Sequence, residues 1–136
     1  MQTYELSNIA AIILAGGMGT RLQGVLSGSP KVLAEVNGRP FIFNILDQLL
    51  HAGIAKVIIS TGHLADQVET TIGKRYGSLN VEYSKEHKPL GTGGALKLAQ
   101  KNVDMDYFLV MNGDSYVEFN LLRLFIYSTR KKASIV

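Results

Sequence analysis

Short apolar runs alternate with helical patterns along the whole chain. Residues 9–15 form a continuous apolar run that Gly16 and Gly17 close, which is typical of a strand buried on both faces of a sheet. Further runs predict buried strands over residues 56–62 and 107–111, a short strand over 80–84, and the beginning of a strand over 133–136.

Between these strands, apolar residues recur at helical spacing. In residues 41–52 they fall on one stripe, and Gly53 then supplies the residue type that commonly ends a helix. The same spacing predicts helices over residues 64–72, 92–101 and 121–132. Strands that alternate with helices form βαβ units. The sequence therefore predicts an α/β fold: a Rossmann-like, doubly wound, mostly parallel sheet with helices on both faces.

Composition limits the class of protein. The 136 residues fit one domain, and 46% hydrophobic residues are enough to fill a core. The absence of cysteine excludes a disulfide scaffold, a thiolate zinc site and a thiol nucleophile. The net charge of +3, with Lys and Arg spread along the chain, does not indicate a nucleic-acid partner. No apolar run approaches the ~20 residues of a membrane-spanning helix and no signal peptide is evident, so we expect a cytoplasmic protein with no membrane partner.

The loop after the first strand carries the first candidate chemistry, because ligands of an open α/β sheet bind at the carboxyl ends of its strands. Residues 14–22 read Leu-Ala-Gly-Gly-Met-Gly-Thr-Arg-Leu. Glycines let a phosphate approach main-chain N–H groups, and Arg21 and Lys31 add positive charge. This composition suits a triphosphate site; a flexible turn with incidental basic residues is the competing interpretation. Leu22 stands where a dinucleotide fingerprint needs glycine, which excludes that motif.

A second glycine-rich segment lies between the third strand and a helix. Residues 86–96 read Glu-His-Lys-Pro-Leu-Gly-Thr-Gly-Gly-Ala-Leu. Backbone donors at a helix N-terminus favour an electronegative group, and glycines permit flat contact with a base. The competing interpretation is a Pro-Leu-Gly turn that leads into a helix.

An Asn-Gly-Asp sequence follows the fourth strand at residues 112–114. Asn-Gly is the strongest two-residue hairpin signal, and residues 116–119 could return as the second strand. Alternatively, Asp114 ends a strand at the ligand-binding edge, where a carboxylate can hold Mg²⁺ against triphosphate oxygens. The pattern leaves both interpretations open.

Residues 16–22, followed by Pro30 and Lys31, resemble the signature of the sugar-1-phosphate nucleotidyltransferases. Residues 86–96 and 112–114 match two further segments of that family. The resemblance implies a nucleotide-diphospho-sugar transferase type of fold. It also implies a reaction in which a nucleoside triphosphate and a sugar 1-phosphate yield a nucleotide sugar and pyrophosphate.

Within the family, residues 86–96 and 112–116 are most similar to the D-glycero-α-D-manno-heptose 1-phosphate guanylyltransferases. Those enzymes make GDP-heptose for bacterial surface polysaccharide. This similarity favours GTP and a heptose 1-phosphate as partners. The alternatives are an enzyme that uses UTP, TTP or CTP, and a non-catalytic nucleotide-binding or regulatory subunit.

The resemblance assigns roles to residues of this chain. Arg21 and Lys31 would hold the triphosphate and Asp114 the Mg²⁺ cofactor, so these three are the expected catalytic residues. Glu86 and the main chain at Gly91 would read the edge of the base. The expected nucleotide-binding residues are Leu14, Ala15, Gly16, Gly17, Gly19, Thr20, Arg21, Lys31, Glu86, Pro89, Gly91, Thr92, Asn112 and Gly113.

The chain departs from the family pattern in two ways. The family commonly has Pro-Lys-Pro where this chain has Pro30, Lys31 and Val32, which is expected to relax the turn behind the lysine. A downstream Glu-Lys-Pro-type segment and a second metal-binding aspartate are also missing. Residues 1–136 are therefore expected to be a truncated, nucleotide-binding N-terminal part without the sugar-binding part. A last strand with an open edge would favour a homo-oligomer or a missing C-terminal half.

Overall fold

Strands and helices alternate along the part of the chain that the computed structural model describes, residues 5–17 and 28–135. In chain order, the strands are β1 (Ala10–Leu14), β2 (Glu35–Val36), β3 (Arg39–Pro40), β4 (Lys56–Thr61), β5 (Arg75–Tyr76), β6 (Leu79–Lys85) and β7 (Phe108–Asn112). The helices are α1 (Ile42–Ala52), α2 (Ala65–Ile72), α3 (Gly91–Ala99) and α4 (Leu121–Lys131).

The main sheet has the strand order β5-β6-β4-β1-β7, and all its neighbours are parallel except β5 and β6. The chain moves outward from β1 to β4 and β6, then crosses back to place β7 on the other side of β1. Strand order therefore reverses between β1 and β7. This switch point is where a doubly wound sheet opens a crevice for ligands.

Alternate residues of β1 pack on opposite faces of the sheet. Ala11 and Ile13 join the core that α1, α2 and the start of α4 complete, whereas Ala10 and Ile12 pack with Ala99 of α3. These four of the five β1 residues are completely buried. A strand covered on both faces must be apolar at every position, which explains the continuous run in the sequence. The predicted sheet with helices on both faces is confirmed.

Helix α1 forms where the apolar stripe predicts it. Its buried residues are Ile42, Ile45, Leu46 and Leu49. It ends at Gly53, whose φ of +85° is the left-handed geometry expected of a helix-ending glycine. Helices α1 and α4 have 11 residues each. Within the described ranges, no helix is long and apolar enough to pass through a membrane.

The strand predicted as buried over residues 107–111 is β7, and it lies at the edge of the sheet. Among the described residues its one strand neighbour is β1, and Val110 is 39% exposed. The expectation of a buried strand is therefore wrong. Residues 107–111 have the apolar composition that is typical of an interior strand, although β7 lies at the edge of the described sheet.

The strand predicted to begin at residue 133 does not form in residues 133–135, and Val136 lies outside the described residues. Helix α4 ends because Lys132 adopts a left-handed φ of +50°. The Ala133 N–H then donates to the Ser128 carbonyl at 3.1 Å. This hydrogen bond turns the backbone back on the helix instead of letting it extend, so the prediction is wrong there.

A small hairpin links the Lys31 segment to α1; it was not predicted, although its turn is an Asn-Gly pair, Asn37 and Gly38. Strands β2 and β3 pair across Asn37 and Gly38, whose φ values of +54° and +74° suit a type I′ turn. Arg39 donates to the Asp47 carboxylate at 2.7 Å, and the Tyr76 hydroxyl donates to the same carboxylate at 2.6 Å. These bonds tie the hairpin to α1 and β5.

Candidate functional site

Main-chain hydrogen bonds join the carboxyl ends of the four parallel strands. The Ala15 N–H donates to the Ser60 carbonyl at 2.8 Å, and the Gly113 N–H donates to the Leu14 carbonyl at 2.9 Å. The Glu86 N–H, which follows β6, donates to the Thr61 carbonyl at the end of β4 at 2.8 Å. The segments that follow β1, β4, β6 and β7 therefore form one connected edge at the switch point.

Lys31 and Asp114 meet at this edge, although 83 positions separate them in the sequence. The Lys31 Nζ donates to the Asp114 Oδ2 at 2.6 Å, and both side chains are about 40% exposed. The Ser115 hydroxyl donates to the other carboxylate oxygen at 3.2 Å. The hydrogen bond from Lys31 is the main reason that the pKa of Asp114 lies below its ordinary value. Asp114 is therefore ionised at neutral pH.

Close packing behind the pair fixes the backbone on both sides. Val32 is buried, and a Cβ placed on Gly113 would lie 2.8 Å from the Val32 Cγ1 and 3.0 Å from the Leu14 carbonyl oxygen. The turn after Lys31 is also closed by a hydrogen bond from the Leu33 N–H to the Pro30 carbonyl, at 2.9 Å. Val32, which stands where the family commonly has proline, packs its side chain into the core.

Glu86 connects the two glycine-rich segments. Its Oε2 accepts a hydrogen bond from the Leu90 N–H at 3.0 Å, which closes the loop before α3. Its Oε1 lies against Gly16, where an added Cβ would collide with it. The carboxylate therefore lies between the loop after β6 and the loop after β1. Gly62, at the end of β4, also approaches Gly16, since a Cβ on Gly62 would lie 3.0 Å from the Gly16 carbonyl oxygen.

The segment that leads into α3 is an open surface. Pro89, Gly91 and Thr92 are exposed, and Gly91 has a left-handed φ of +70°. Inside the helix, Gly94 permits close packing, because a Cβ there would lie 2.7 Å from the Leu90 Cβ. The predicted helix is confirmed, beginning at Gly91 instead of Thr92 and ending at Ala99 instead of Lys101. This geometry agrees both with a base-binding surface and with a turn that leads into a helix.

The hairpin interpretation of residues 112–114 is wrong. Strand β7 ends at Asn112, a turn covers residues 113–114, and residues 115–120 contain no strand. Asp114 therefore occupies the strand-end position that the alternative interpretation requires. Asn112 aligns with Leu14 in the β1–β7 register, so the two ends flank the switch point.

Three of the expected site residues, Gly19, Thr20 and Arg21, lie outside the described residues. Leu14, Ala15, Gly16 and Gly17 lie inside them, with Gly17 exposed at the end of the described loop. The structure thus brings Lys31 to Asp114, Glu86 to Gly16, and Gly113 to Leu14.

Sequence reasoning missed the end of β4 as part of the site. Ser60 and Thr61 accept the hydrogen bonds described above, and both side chains are buried. A usable signal was present, because Ser-Thr-Gly follows a run of apolar residues at residues 60–62. Polar residues at the carboxyl end of a buried strand indicate the ligand-binding edge.

One side chain of the described site, the Asp114 carboxylate, could hold Mg²⁺. Asp114 offers an exposed, ionised carboxylate, and Mg²⁺ is usually held by one or two carboxylates together with phosphate oxygens and water. A cation and a carboxylate at a strand end, beside a glycine-rich loop, can together bind a phosphorylated ligand and its metal.

Comparison with known proteins decides the family. The sequence profile of the family described as Nucleotidyl transferase matches residues 10–136. The chain belongs to the nucleotidyl transferase family. This confirms the family indicated by the three motifs, and the fold comparison below confirms the Rossmann-like class.

The chain is 41% identical to the D-glycero-alpha-D-manno-heptose 1-phosphate guanylyltransferase of Aneurinibacillus thermoaerophilus over 115 residues, which are 85% of this chain and 50% of that protein. It is 36% identical to the mannose-1-phosphate guanyltransferase of Aspergillus oryzae over 113 residues, 80% of this chain and 31% of that one. Its fold is similar to HddC from Yersinia pseudotuberculosis, with a TM-score of 0.80 and 35% identity over 88% of this chain and 54% of that one. HddC has also been solved in complex with GMP-PN. The chain spans about half or less of the length of these relatives.

Proposed function

We propose that the chain is the nucleotide-binding part of an enzyme that transfers a nucleoside monophosphate to a sugar 1-phosphate and releases pyrophosphate. The observation that carries this proposal is the Lys31–Asp114 pair at the switch point between β1 and β7. It combines a phosphate-binding cation with a metal-binding carboxylate at the edge where this class of sheet binds ligands. Membership of the nucleotidyl transferase family supports the same reaction.

The reaction needs positioning and charge neutralisation more than it needs a protein nucleophile. A phosphate oxygen of the sugar 1-phosphate attacks the α-phosphorus of the triphosphate in line, and the bond to the bridging oxygen of pyrophosphate breaks. A phosphate monoester is largely ionised at pH 7, since its second pKa is about 6. The attacking oxygen therefore has no proton for a base to remove. Catalysis then depends on holding two anionic substrates together.

The residues of the site divide this work. Lys31 would neutralise phosphate charge, and Arg21, outside the described residues, is proposed to do the same. Asp114 would hold Mg²⁺, which supplies further stabilisation of the charge that develops on the phosphate oxygens. Gly62 and Gly113 keep Cβ atoms out of the places where the backbones of neighbouring strand ends approach one another.

GTP and a heptose 1-phosphate are the substrates that we infer. Two observations support GTP: the similarity to guanylyltransferases for two different sugars, and the GMP-PN complex of HddC. The heptose is supported by the relative from Aneurinibacillus thermoaerophilus, whereas the Aspergillus oryzae relative is a mannose-1-phosphate guanyltransferase. The product would be GDP-heptose, a precursor of surface polysaccharide.

Equilibrium binding and turnover test this proposal together. The purified chain is titrated with GTP, UTP, TTP and CTP in the presence of Mg²⁺. Pyrophosphate release is then measured with GTP and either heptose 1-phosphate or mannose 1-phosphate. We expect GTP to bind most tightly, and we expect slow turnover from this chain by itself, because it spans half the length of the Aneurinibacillus thermoaerophilus relative.

The outcomes separate the candidate functions. Failure of all four nucleotides to bind would refute the proposed function. The C-terminal half of the Aneurinibacillus thermoaerophilus relative, which this chain does not cover, is then added. If GTP binds but no pyrophosphate is released with or without that half, the result would favour a non-catalytic nucleotide-binding subunit. Tighter binding of UTP, TTP or CTP would reassign the base, and faster release with mannose 1-phosphate would reassign the sugar.

A further inference from the structure

Both oxygens of the Asp114 carboxylate already have partners. Oδ2 accepts the hydrogen bond from Lys31 at 2.6 Å, and Oδ1 accepts the longer one from Ser115 at 3.2 Å. A metal ion that binds this carboxylate therefore meets the ammonium group of Lys31 and competes with it for the same negative charge. This competition has a consequence for the order in which ligands bind.

The geometry points to Lys31 as an exchangeable counter-ion of Asp114. The lysine neutralises the carboxylate in the free protein. A divalent cation enters only together with a nucleoside triphosphate, which draws the ammonium away to its own phosphate oxygens. This inference rests on the proposed function, because it assumes that the site takes a triphosphate.

Electrostatics gives the first reason for the exchange. An ammonium and a divalent cation repel each other strongly at the separation that a shared carboxylate imposes. Mg²⁺ also gives up its bound water reluctantly and is usually held by one or two carboxylates plus substrate phosphates. One carboxylate that is already paired with Lys31 is therefore a weak site for the metal alone. A triphosphate changes this balance, because it attracts both cations.

The side chain of Lys31 can move while its backbone stays in place. It is 41% exposed and carries its charge on a flexible four-carbon stem. The backbone is held by buried Val32 and by the turn that Leu33 closes onto Pro30. An exchange of partners therefore needs side-chain rotation alone, with no displacement of the strand ends.

Coupled binding follows from this arrangement. If the nucleotide makes room for the metal, the metal must strengthen nucleotide binding by the same factor, because linkage is reciprocal. Removing the ammonium should uncouple the two. A Lys31→Met variant would leave Asp114 open to the metal, and it would lose a positive charge toward the phosphates.

Mn²⁺ is a suitable probe, because electron paramagnetic resonance measures its free concentration directly and needs no turnover. Mn²⁺ is titrated into the wild-type chain and the Lys31→Met variant, with and without a non-hydrolysable GTP analogue. Lys74→Met is the matched control, since Lys74 is also exposed but lies before β5. Asp114→Asn identifies the fraction of bound Mn²⁺ that this carboxylate holds.

Without nucleotide, we expect the Lys31→Met variant to bind Mn²⁺ at Asp114 about tenfold more tightly than the wild type, within the usual range of coupling between sites. With the GTP analogue, the wild type should gain more Mn²⁺ affinity than the variant. Equal Mn²⁺ affinity of the two proteins without nucleotide would overturn the exchange. If the analogue binds neither protein, the proposed function fails, and the comparison without nucleotide still decides whether Lys31 blocks the metal.

Discussion

A methyl group on Gly113 would have no room, and this single position shows how closely the site is built. Three atoms surround the place of its Cβ: the Val32 Cγ1 at 2.8 Å, the Leu14 carbonyl oxygen at 3.0 Å and the Ile13 Cγ2 at 3.2 Å. The glycine is itself buried next to Asp114. A side chain there would push the Lys31 turn away from the strand ends.

We therefore expect Gly113→Ala to lower the free energy of unfolding by about 1–3 kcal/mol, the usual effect of overpacking, and to weaken Mg²⁺-dependent nucleotide binding. Urea denaturation and calorimetry measure the two effects. Gly93→Ala is the control, because its Cβ would meet nothing within 4 Å and alanine favours a helix. Equal stability of the two variants would contradict this packing.

A substitution at Gly16 is expected to cost much less stability than one at Gly113. The atom that its added Cβ would meet is Glu86 Oε1, the end of a flexible side chain that can rotate away. Gly16→Ala should therefore cost under about 1 kcal/mol of stability, as most tolerated substitutions do. The substitution should still weaken GTP binding, because rotation of the Glu86 side chain would break its hydrogen bond with the Leu90 N–H. A GTP affinity equal to that of the wild type would show that this carboxylate is not part of the site.

At the scale of elements, periodic and continuous apolar patterns predicted the structure well. The buried run of β1 and the stripe of α1 both lie where the sequence places them, since core burial dictates these patterns. The β2–β3 hairpin was missed although its Asn37-Gly38 turn carries the usual hairpin signal, and β5 escaped prediction because a strand of two residues shows no alternation. Residues 133–135 were wrongly assigned, since a helix-ending bond to Ser128 determines their path.

The site was predicted less completely than the fold. Strand-end positions follow from the α/β pattern, but nothing in the spacing brings Lys31 to Asp114 across 83 positions. The resemblance assigned the two residues to one site, and their direct ion pair was not predicted. The contact of Val32 with Gly113 could not be predicted, because it depends on side-chain packing between distant segments. Ser60 and Thr61 were missed although their position in the sequence carried a signal.

Tyr83 links two elements and gives a pH-dependent prediction. Its hydroxyl on β6 donates to the carbonyl of Gly73, the residue that ends α2. Burial, with the negative charge of Glu69, raises the pKa of Tyr83 to about 12. The folded-state value thus exceeds the value near 10 of an unfolded tyrosine. The stabilisation is complete below pH 10 and is lost as the pH rises through 12.

The free energy of unfolding of the wild type should therefore fall more between pH 9 and pH 11.5 than that of Tyr83→Phe. Urea denaturation at both pH values measures this difference. The other five tyrosines are common to both proteins, so their titration cancels in the comparison. Parallel pH profiles would show that Tyr83 is not responsible.

For the whole molecule, apolar exposure is concentrated at one end of the described chain. Seven of the nine exposed large hydrophobic residues lie between positions 107 and 135. Val110 lies on the edge strand β7, and Tyr116 and Leu122 line a groove of about 970 Å³ together with Phe41, Met111 and Phe119 among others. None of the candidate site residues lines this groove. An apolar edge strand of this kind promotes association between chains.

We expect the 136-residue chain to self-associate through this edge and Val110→Lys to reduce the association, because a charge on an edge strand opposes pairing. Sedimentation velocity over a range of concentrations measures the effect. Val36→Lys is the control, since Val36 is 46% exposed on β2, outside the main sheet. A wild type that stays monomeric at all concentrations would contradict this expectation.

The central claim is that Asp114 couples metal to nucleotide at the switch point of the sheet. Calorimetric titration of GTP into the wild type and Asp114→Asn, each with Mg²⁺ and with a chelator, tests it most directly. The account predicts that Mg²⁺ raises the affinity of the wild type for GTP by about tenfold or more. In Asp114→Asn, the affinity for GTP should be nearly the same with Mg²⁺ and with the chelator. Tight GTP binding that is equal in both proteins and indifferent to Mg²⁺ would contradict it.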